Sequence, residues 1–377
     1  MIKRNYYLNQ IQEGFEMHSV CAILGPRQCG KTTLAKQYSA NLDQVHFFDL
    51  ENPQDLSALE SPSLILPKFK GLVVLDEIQR RPDLFPYLRY LTDNSDLKFL
   101  VLGSASQDLI NQTSETLAGR ISYLELPPFQ FNEFEKDSNE NNHIWIRGGF
   151  PKSLLAKNIN LSEKWRFNYI KTFLERDLSM MGIQVVPNNM RRLWNMIAHY
   201  HGQIANIAEL SRSLDMTNKT IKRYLDILEG CFMIRQLKPW HENLAKRQVK
   251  RAKIYIRDSG ILHSLLNISD DNLYKHPKLG ASWEGFALES IIQANEQSLS
   301  EFYFWGTEAG AELDLLIIKG SKRIGFEFKH SDQPKVTKSM HIAIEDLKLD
   351  ELNIITPGKN SYQIAEKIFV KNLSDTF

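Results

Sequence analysis

The stretch Gly25-Pro26-Arg27-Gln28-Cys29-Gly30-Lys31-Thr32-Thr33 restricts this chain more than any other, because it satisfies Gly-x-x-x-x-Gly-Lys-[Ser/Thr] in full. Such a loop works only between a strand and a helix. Both are legible. Val20-Cys21-Ala22-Ile23-Leu24 is a short apolar run suited to a buried parallel strand, and Thr33-Leu34-Ala35-Lys36-Gln37-Tyr38 has helical composition. Glycines let the turn point backbone N–H groups inward, at a helix N-terminus whose partial positive charge favours an anion. All nine residues are therefore read as a cradle for the phosphates of a nucleotide. Lys31 is expected to reach the β/γ oxygens, and the Thr32 hydroxyl to complete a Mg2+ shell. A glycine turn that merely precedes a lysine would lack this context and the second motif that follows.

That second motif closes the third apolar run. After Val45-His46-Phe47-Phe48-Asp49-Leu50, the run Gly71-Leu72-Val73-Val74-Leu75 ends in Asp76-Glu77. Asp76 at a strand's carboxyl end is placed to hold Mg2+ through water, and Glu77 to polarise the attacking water. A fourth strand, Leu97 to Leu102, ends in Gly103-Ser104. Ser104 is a candidate sensor between metal and γ-phosphate, or else a plain helix N-cap before Gln107-Asp108-Leu109. Leu117-Ala118-Gly119-Arg120 precedes a fifth strand, Ile121 to Leu126. Arg120 is either the cation that neutralises transition-state charge, in its own subunit or a neighbour's, or a surface arginine. Strands alternating with helices imply an α/β fold, a parallel sheet with helices on both faces and the ligand at the strands' carboxyl ends.

Taken together, the phosphate loop, Leu75-Asp76-Glu77-Ile78-Gln79, Gly103-Ser104 and Leu117-Ala118-Gly119-Arg120 resemble a large prokaryotic family of AAA-type ATPases. Its members carry a C-terminal domain of unknown function, expected to have a restriction-endonuclease-like fold. The resemblance runs along almost the whole chain and implies that the nucleotide is ATP, which the residues alone do not decide. The family usually has valine or similar where Cys29 stands, and Thr-Gly-Ser where Leu102-Gly103-Ser104 stands. Neither departure removes a phosphate or metal ligand.

Beyond this domain, placed at residues 1–136, the tract Asp137 to Asn142 has nothing apolar to bury and is read as a surface loop. The amphipathic run Trp165 to Met180, with Phe167, Ile170, Phe173, Leu174 and Leu178, suggests a helical lid or bridge over 137–189, in which Arg176 either faces the nucleotide or, as the safer reading, forms a solvated pair with Asp177. Residues 190–250 read as helix, helix, turn, helix and hairpin, resembling a winged helix-turn-helix. With Ile221, Leu225 and Leu228 facing inward, Lys219, Lys222 and Arg223 are available to nucleic-acid phosphates or base edges; many winged helices contact protein instead. In 251–377, Glu312 to Ile318, the turn Lys319-Gly320-Ser321-Lys322 and Arg323 to Lys329 form a hairpin. If the four-residue turn pairs Ile318 with Arg323, Asp314 stands opposite Glu327 and Lys329 shares their face. Opposed carboxylates repel unless a cation sits between them. A second divalent metal held there by Asp314 and Glu327 would activate water against a phosphodiester, with Lys329 steadying the charge. Asp, thirteen positions on Glu, then Lys two further, is the restriction-endonuclease-like pattern, and Gly280-x-x-x-Glu284 resembles the helix that often supplies a further acid. The rival is a charged hairpin face, or a fold that has lost cleavage.

Composition adds exclusions. A chain of 377 residues implies two or three domains, and a formal net charge of +1 rules out a global basic field, so DNA binding must be a local patch. Cys21, Cys29 and Cys231 lack paired spacing and read as reduced thiols. No run approaches the ~18 apolar residues of a membrane span, and the cytoplasm is the expected compartment. The sequence therefore leads to the expectation of a Mg2+-dependent ATPase acting on DNA, with a homo-oligomer allowed for. The alternative is an ATP-regulated protein-interaction or transcription-regulating protein.

Overall fold

The computed structural model describes residues 2–104, 117, 119–134, 139–242, 246–296, 300–358 and 360–377. They form two compact units: Met1–Pro128 with Glu175–Gln184 and Asp226–Phe232, and Phe129–Leu174 with Val185–Leu225 and Met233–Phe377.

The first unit is built on strands β1 (Val20–Gly25), β2 (Val45–Asp49), β3 (Leu72–Asp76), β4 (Lys98–Ser104) and β5 (Ile121–Glu125). They run parallel in the order β2-β3-β4-β1-β5. Side chains alternate across the sheet. Val20, Ala22, Leu24, Val73, Leu75, Phe99 and Val101 enter one core, while Cys21, Ile23, Leu72, Val74, Leu100 and Leu102 enter another. Burial on both faces explains why the strands read as unbroken apolar runs. Helix Asn5–Met17 covers one face through Tyr7, Ile11 and Phe15, spaced one turn apart. Helix Leu84–Asn94 covers the other through Leu84, Phe85, Leu88 and Leu91. The register sets Gly25 beside Ser104 and Asp49 beside Asp76, so the polar strand ends collect along the carboxyl edge.

The second unit holds two sheets. Strands β6 (Gln203–Ile204), β7 (Ile234–Leu237) and β8 (Lys253–Ile256) are antiparallel with β8 in the centre. Strands β9 (Ser300–Gly306), β10 (Glu312–Lys319), β11 (Lys322–Phe328), β12 (Glu351–Thr356), β13 (Tyr362–Ala365) and β14 (Ile368–Asn372) form a mixed sheet in the order β13-β14-β12-β11-β10-β9. Helix Leu279–Asn295 packs on one of its faces and Lys338–Leu347 on the other. Helix Pro187–His199 precedes β6, and helices Ile207–Leu214 and Asn218–Gly230 lie between β6 and β7.

Local structure departs from expectation in four places. Asn139–Arg147 is a helix, so 139–142 are not a loop; Ile144 and Trp145 anchor it in the core. Asp137 and Ser138 lie outside the described residues, as do Gln107-Asp108-Leu109. The bridge helix is Ile159–Thr172 followed by a π-turn, Phe173–Asp177, and Phe167 points outward while Arg166, Tyr169 and Ile170 point in. Asp177 is buried, not solvated. The hairpin turn has two residues, because Lys319 pairs with Lys322 and Gly320 supplies a φ of 60°. Ile318 still pairs with Arg323, so the register is unchanged.

Candidate active site

The phosphate loop leaves β1 at Gly25 and enters helix Lys31–Ser39. Two glycines answer to different constraints. A Cβ on Gly25 would lie 2.2 Å from the Leu126 carbonyl oxygen, so close approach of backbones demands its absence. Gly30 has open space but a φ of 108°, a left-handed conformation that L side chains rarely adopt. The helix that follows has no side-chain cap, which leaves its first N–H groups for an anion. Pro26 and Cys29 are buried, Gln28 and Thr33 are exposed, and the Cys29 thiol belongs to the core with Ile23 and Leu126. Position 29 thus offers a ligand only its backbone. The buried Lys31 ammonium donates to the carbonyls of Gly25 at 2.9 Å and Pro26 at 3.0 Å.

The two motifs meet as the spacing implies. Thr32 Oγ1 donates to Asp76 Oδ2 at 2.6 Å. Asp76 Oδ1 accepts from the Glu77 N–H at 2.9 Å. Burial raises the Asp76 carboxyl above its ordinary range, with the Thr32 hydrogen bond opposing. A hydroxyl and a buried carboxylate side by side fit Mg2+, which takes few protein ligands and completes its shell with phosphate and water. Glu77 is held at φ 55°, ψ 46°, a strained backbone for a side chain of this size. Gln79 donates to its carboxylate, and Ser104 Oγ lies 3.3 and 3.2 Å from its two oxygens.

Two arginines behave differently. Arg27 pairs with Glu51 at 2.6 Å and lies 3.6 Å from Asp177. Asp177 is 5% exposed, and its Oδ2 has no hydrogen-bond partner among the described residues. Sequence reasoning missed this residue, since nothing local marks a contact across 150 positions. Arg120 sits at the amino edge of the sheet, its carbonyl accepting from Val20 N, and its guanidinium pairs with Asp93 at 2.6 Å. A strand of six residues, ~20 Å, separates it from the phosphate loop of its own chain.

The second unit concentrates charge at the open end of the β10–β11 ladder. Asp314 and Glu327 stand one step beyond the last pair, Leu315 with Phe326, and are 8% and 5% exposed. Lys329 pairs with Glu327 at 3.0 Å. Glu284 comes from helix Leu279–Asn295. That helix approaches so closely that a Cβ on Gly285 would lie 2.0 Å from His201 Nε2, whereas Gly280 has open space. Burial, then the Asp314 charge, pushes Glu327 up to about 8 and Glu284 up to about 7. Lys253 of β8 was not foreseen. It is 3% exposed and ion-pairs with Glu312, with Asp314 at 3.4 Å and with Glu284 at 3.7 Å. Burial opposes its charge, but Tyr255 and these carboxylates hold it well above the ordinary lysine range. Tyr255 donates to Glu284 at 2.7 Å. Of the carboxylates meant for a second divalent metal, Asp314 and Glu284 already face this ammonium and Glu327 faces that of Lys329, so the set as it stands does not fit that ion.

Lys219, Lys222 and Arg223 lie exposed on helix Asn218–Gly230, opposite the buried Ile221, Leu225 and Leu228. No helix among the described residues is long and apolar enough to cross a membrane.

A model described as an AAA domain matches residues 17–135. Domains of unknown function match 139–272 (DUF8612) and 279–375 (DUF4143). Uncharacterized protein Rv2008c of Mycobacterium tuberculosis is 43% identical over 371 residues, covering 98% of this chain and 83% of its own. Uncharacterized protein MJ1544 of Methanocaldococcus jannaschii is 24% identical, covering 89% and 81%. Among solved structures, the Walker-type ATPase PABY2304 of Pyrococcus abyssi aligns over 71% of this chain and 96% of its own, with a TM-score of 0.50 and 15% identity, a likeness of fold. The chain is an AAA-type ATPase in which two domains of unknown function follow the AAA domain, and it belongs to the family of the mycobacterial protein Rv2008c.

Proposed function

We propose that the chain is a Mg2+-dependent ATPase whose nucleotide cycle governs a DNA-contacting winged helix and a nuclease-like C-terminal domain. The observation that carries the first part is the 2.6 Å contact of Thr32 with Asp76 beside the phosphate loop. Thr32 and Asp76 would hold a Mg2+ ion, which when bound would neutralise charge on the β- and γ-phosphates. Lys31 exchanges its two backbone carbonyls for phosphate oxygens. Glu77 takes a proton from the water that attacks the γ-phosphorus, and the β–γ bridging oxygen leaves with ADP. Ser104, already touching Glu77, is positioned to register loss of the γ-phosphate. Arg120 acts, if at all, on a neighbouring subunit's nucleotide.

The division into 1–136, 137–189, 190–250 and 251–377 belongs to this proposal, as does DNA as partner. The order helix, strand, helix, helix, strand, strand over 187–256 supports the winged helix, and the exposed Lys219, Lys222 and Arg223 support its use on phosphates. The second reading, an ATP-regulated interaction or transcription-regulating protein with an inactive nuclease-like fold, is favoured at the C-terminal site by Lys253. Steady-state turnover tests the core. Lys31→Ala and Glu77→Gln should each abolish ATP hydrolysis, the second leaving ATP binding intact; turnover surviving in either sinks the assigned roles.

A further inference from the structure

We propose that the Lys253 ammonium is the resident cation of the C-terminal acidic pocket, and that the pocket takes up a divalent metal ion only when this amine is removed. The inference stands on the placement of Lys253 alone and does not depend on the ATPase reading. Three carboxylates from two elements converge on one amine: Glu312 and Asp314 from β10, and Glu284 from helix Leu279–Asn295. Below it the Phe304 ring lies with its centroid 5.5 Å from Nζ, an apolar floor that also favours a cation.

The strand that carries the amine is paired on both sides, and the side chain itself is buried. Lys253 pairs with Leu237 on one side and Ile204 on the other, in the central strand of its sheet. Two residues along the same face, Tyr255 fixes Glu284 from the same strand. The Phe328 N–H donates to Asp314 Oδ2 at 3.2 Å, leaving Oδ1 for Lys253. Lys329 is meanwhile taken by Glu327. A divalent ion binds oxygens at about 2.0–2.6 Å. To do so among these carboxylates it would have to displace a buried ammonium that is ion-paired to three of them. Lys253 thus removes the mutual repulsion of Asp314 and Glu284 in the way a metal would, and braces β8 against β10 and helix Leu279–Asn295. It supplies no Lewis acid and no activated water, so phosphodiester cleavage has no place in the wild-type pocket.

The test is uptake of Mn2+ alone, followed by electron paramagnetic resonance, on the nucleotide-free full chain at neutral pH. Wild type and Asp314→Asn should bind Mn2+ identically, because the pocket contributes no site in either. Lys253→Met should gain one ion per chain, and Lys253→Met with Asp314→Asn should lose it again. Uptake by wild type that Asp314→Asn removes overturns the proposal. So does a Lys253→Met protein with a native thermal transition and near-ultraviolet circular dichroism that binds no more Mn2+ than wild type. If that variant does not fold, the comparison of wild type with Asp314→Asn decides by itself.

Discussion

Single residues carry the sharpest consequences. Gly25 meets the Leu126 carbonyl so closely that Gly25→Ala must move one backbone or the other. Overpacking of this kind costs about 1–3 kcal/mol, and the displaced loop should lose ATP affinity as well; an unshifted urea midpoint would contradict the steric reading. Glu327 gives a pH signature. Burial beside Asp314 raises its folded-state value to about 8, against 4.5 ordinarily. The stability it lends is complete below the ordinary value and is lost as pH rises through the folded one. Glutamine has no proton to lose, so Glu327→Gln should gain on wild type as pH climbs from 5 to 8, by up to about 1.4 kcal/mol per pH unit. Parallel urea curves at pH 5, 6.5 and 8 would show that the carboxyl titrates elsewhere.

At the level of elements, strand, loop and helix around residues 20–39 were legible because an apolar run, a glycine pattern and a helical composition coincide there. The β10–β11 register was legible for a different reason: period-2 alternation survives a change in turn length, provided Ile318 and Arg323 stay paired. What stayed hidden was tertiary. Lys253 reads as an ordinary polar strand residue until β8 is seen to cross the hairpin's open end, and Asp177 reads as half of a solvated pair until Arg27 comes beside it. The helix at 139–142 was masked by turn-forming residue types that packing of Ile144 and Trp145 overrides. Helix Asn218–Gly230 yields a prediction that its sequence already suggested. If Lys219, Lys222 and Arg223 meet phosphates, changing all three to alanine should weaken DNA binding. The slope of log K against log salt should also become shallower by roughly 0.9 for each phosphate that is no longer neutralised. An unchanged slope would move any DNA contact off this helix.

Across the whole molecule, a net charge of +1 conceals strong local order: acids gather at the carboxyl edge of the parallel sheet, and acids and lysines interleave at the end of the hairpin. The first arrangement is suited to a metal-bound triphosphate. In the second, a side-chain ammonium stands where a metal was expected. The same chain thus carries two acidic clusters of different kind, one in which a hydroxyl lies beside the carboxylate of Asp76 and one in which an ammonium lies beside that of Asp314. Both follow from which partner the fold brings to each carboxylate. The most direct measurement is calorimetric titration of Mg·ATP into the full-length protein, beside Lys31→Ala. Saturable binding at one site per chain, weakened when Mg2+ is chelated and lost in the variant, is the expected result. Folded wild-type protein that takes up no Mg·ATP, or equal binding by Lys31→Ala, would contradict the claim that residues 25 to 33 hold the nucleotide.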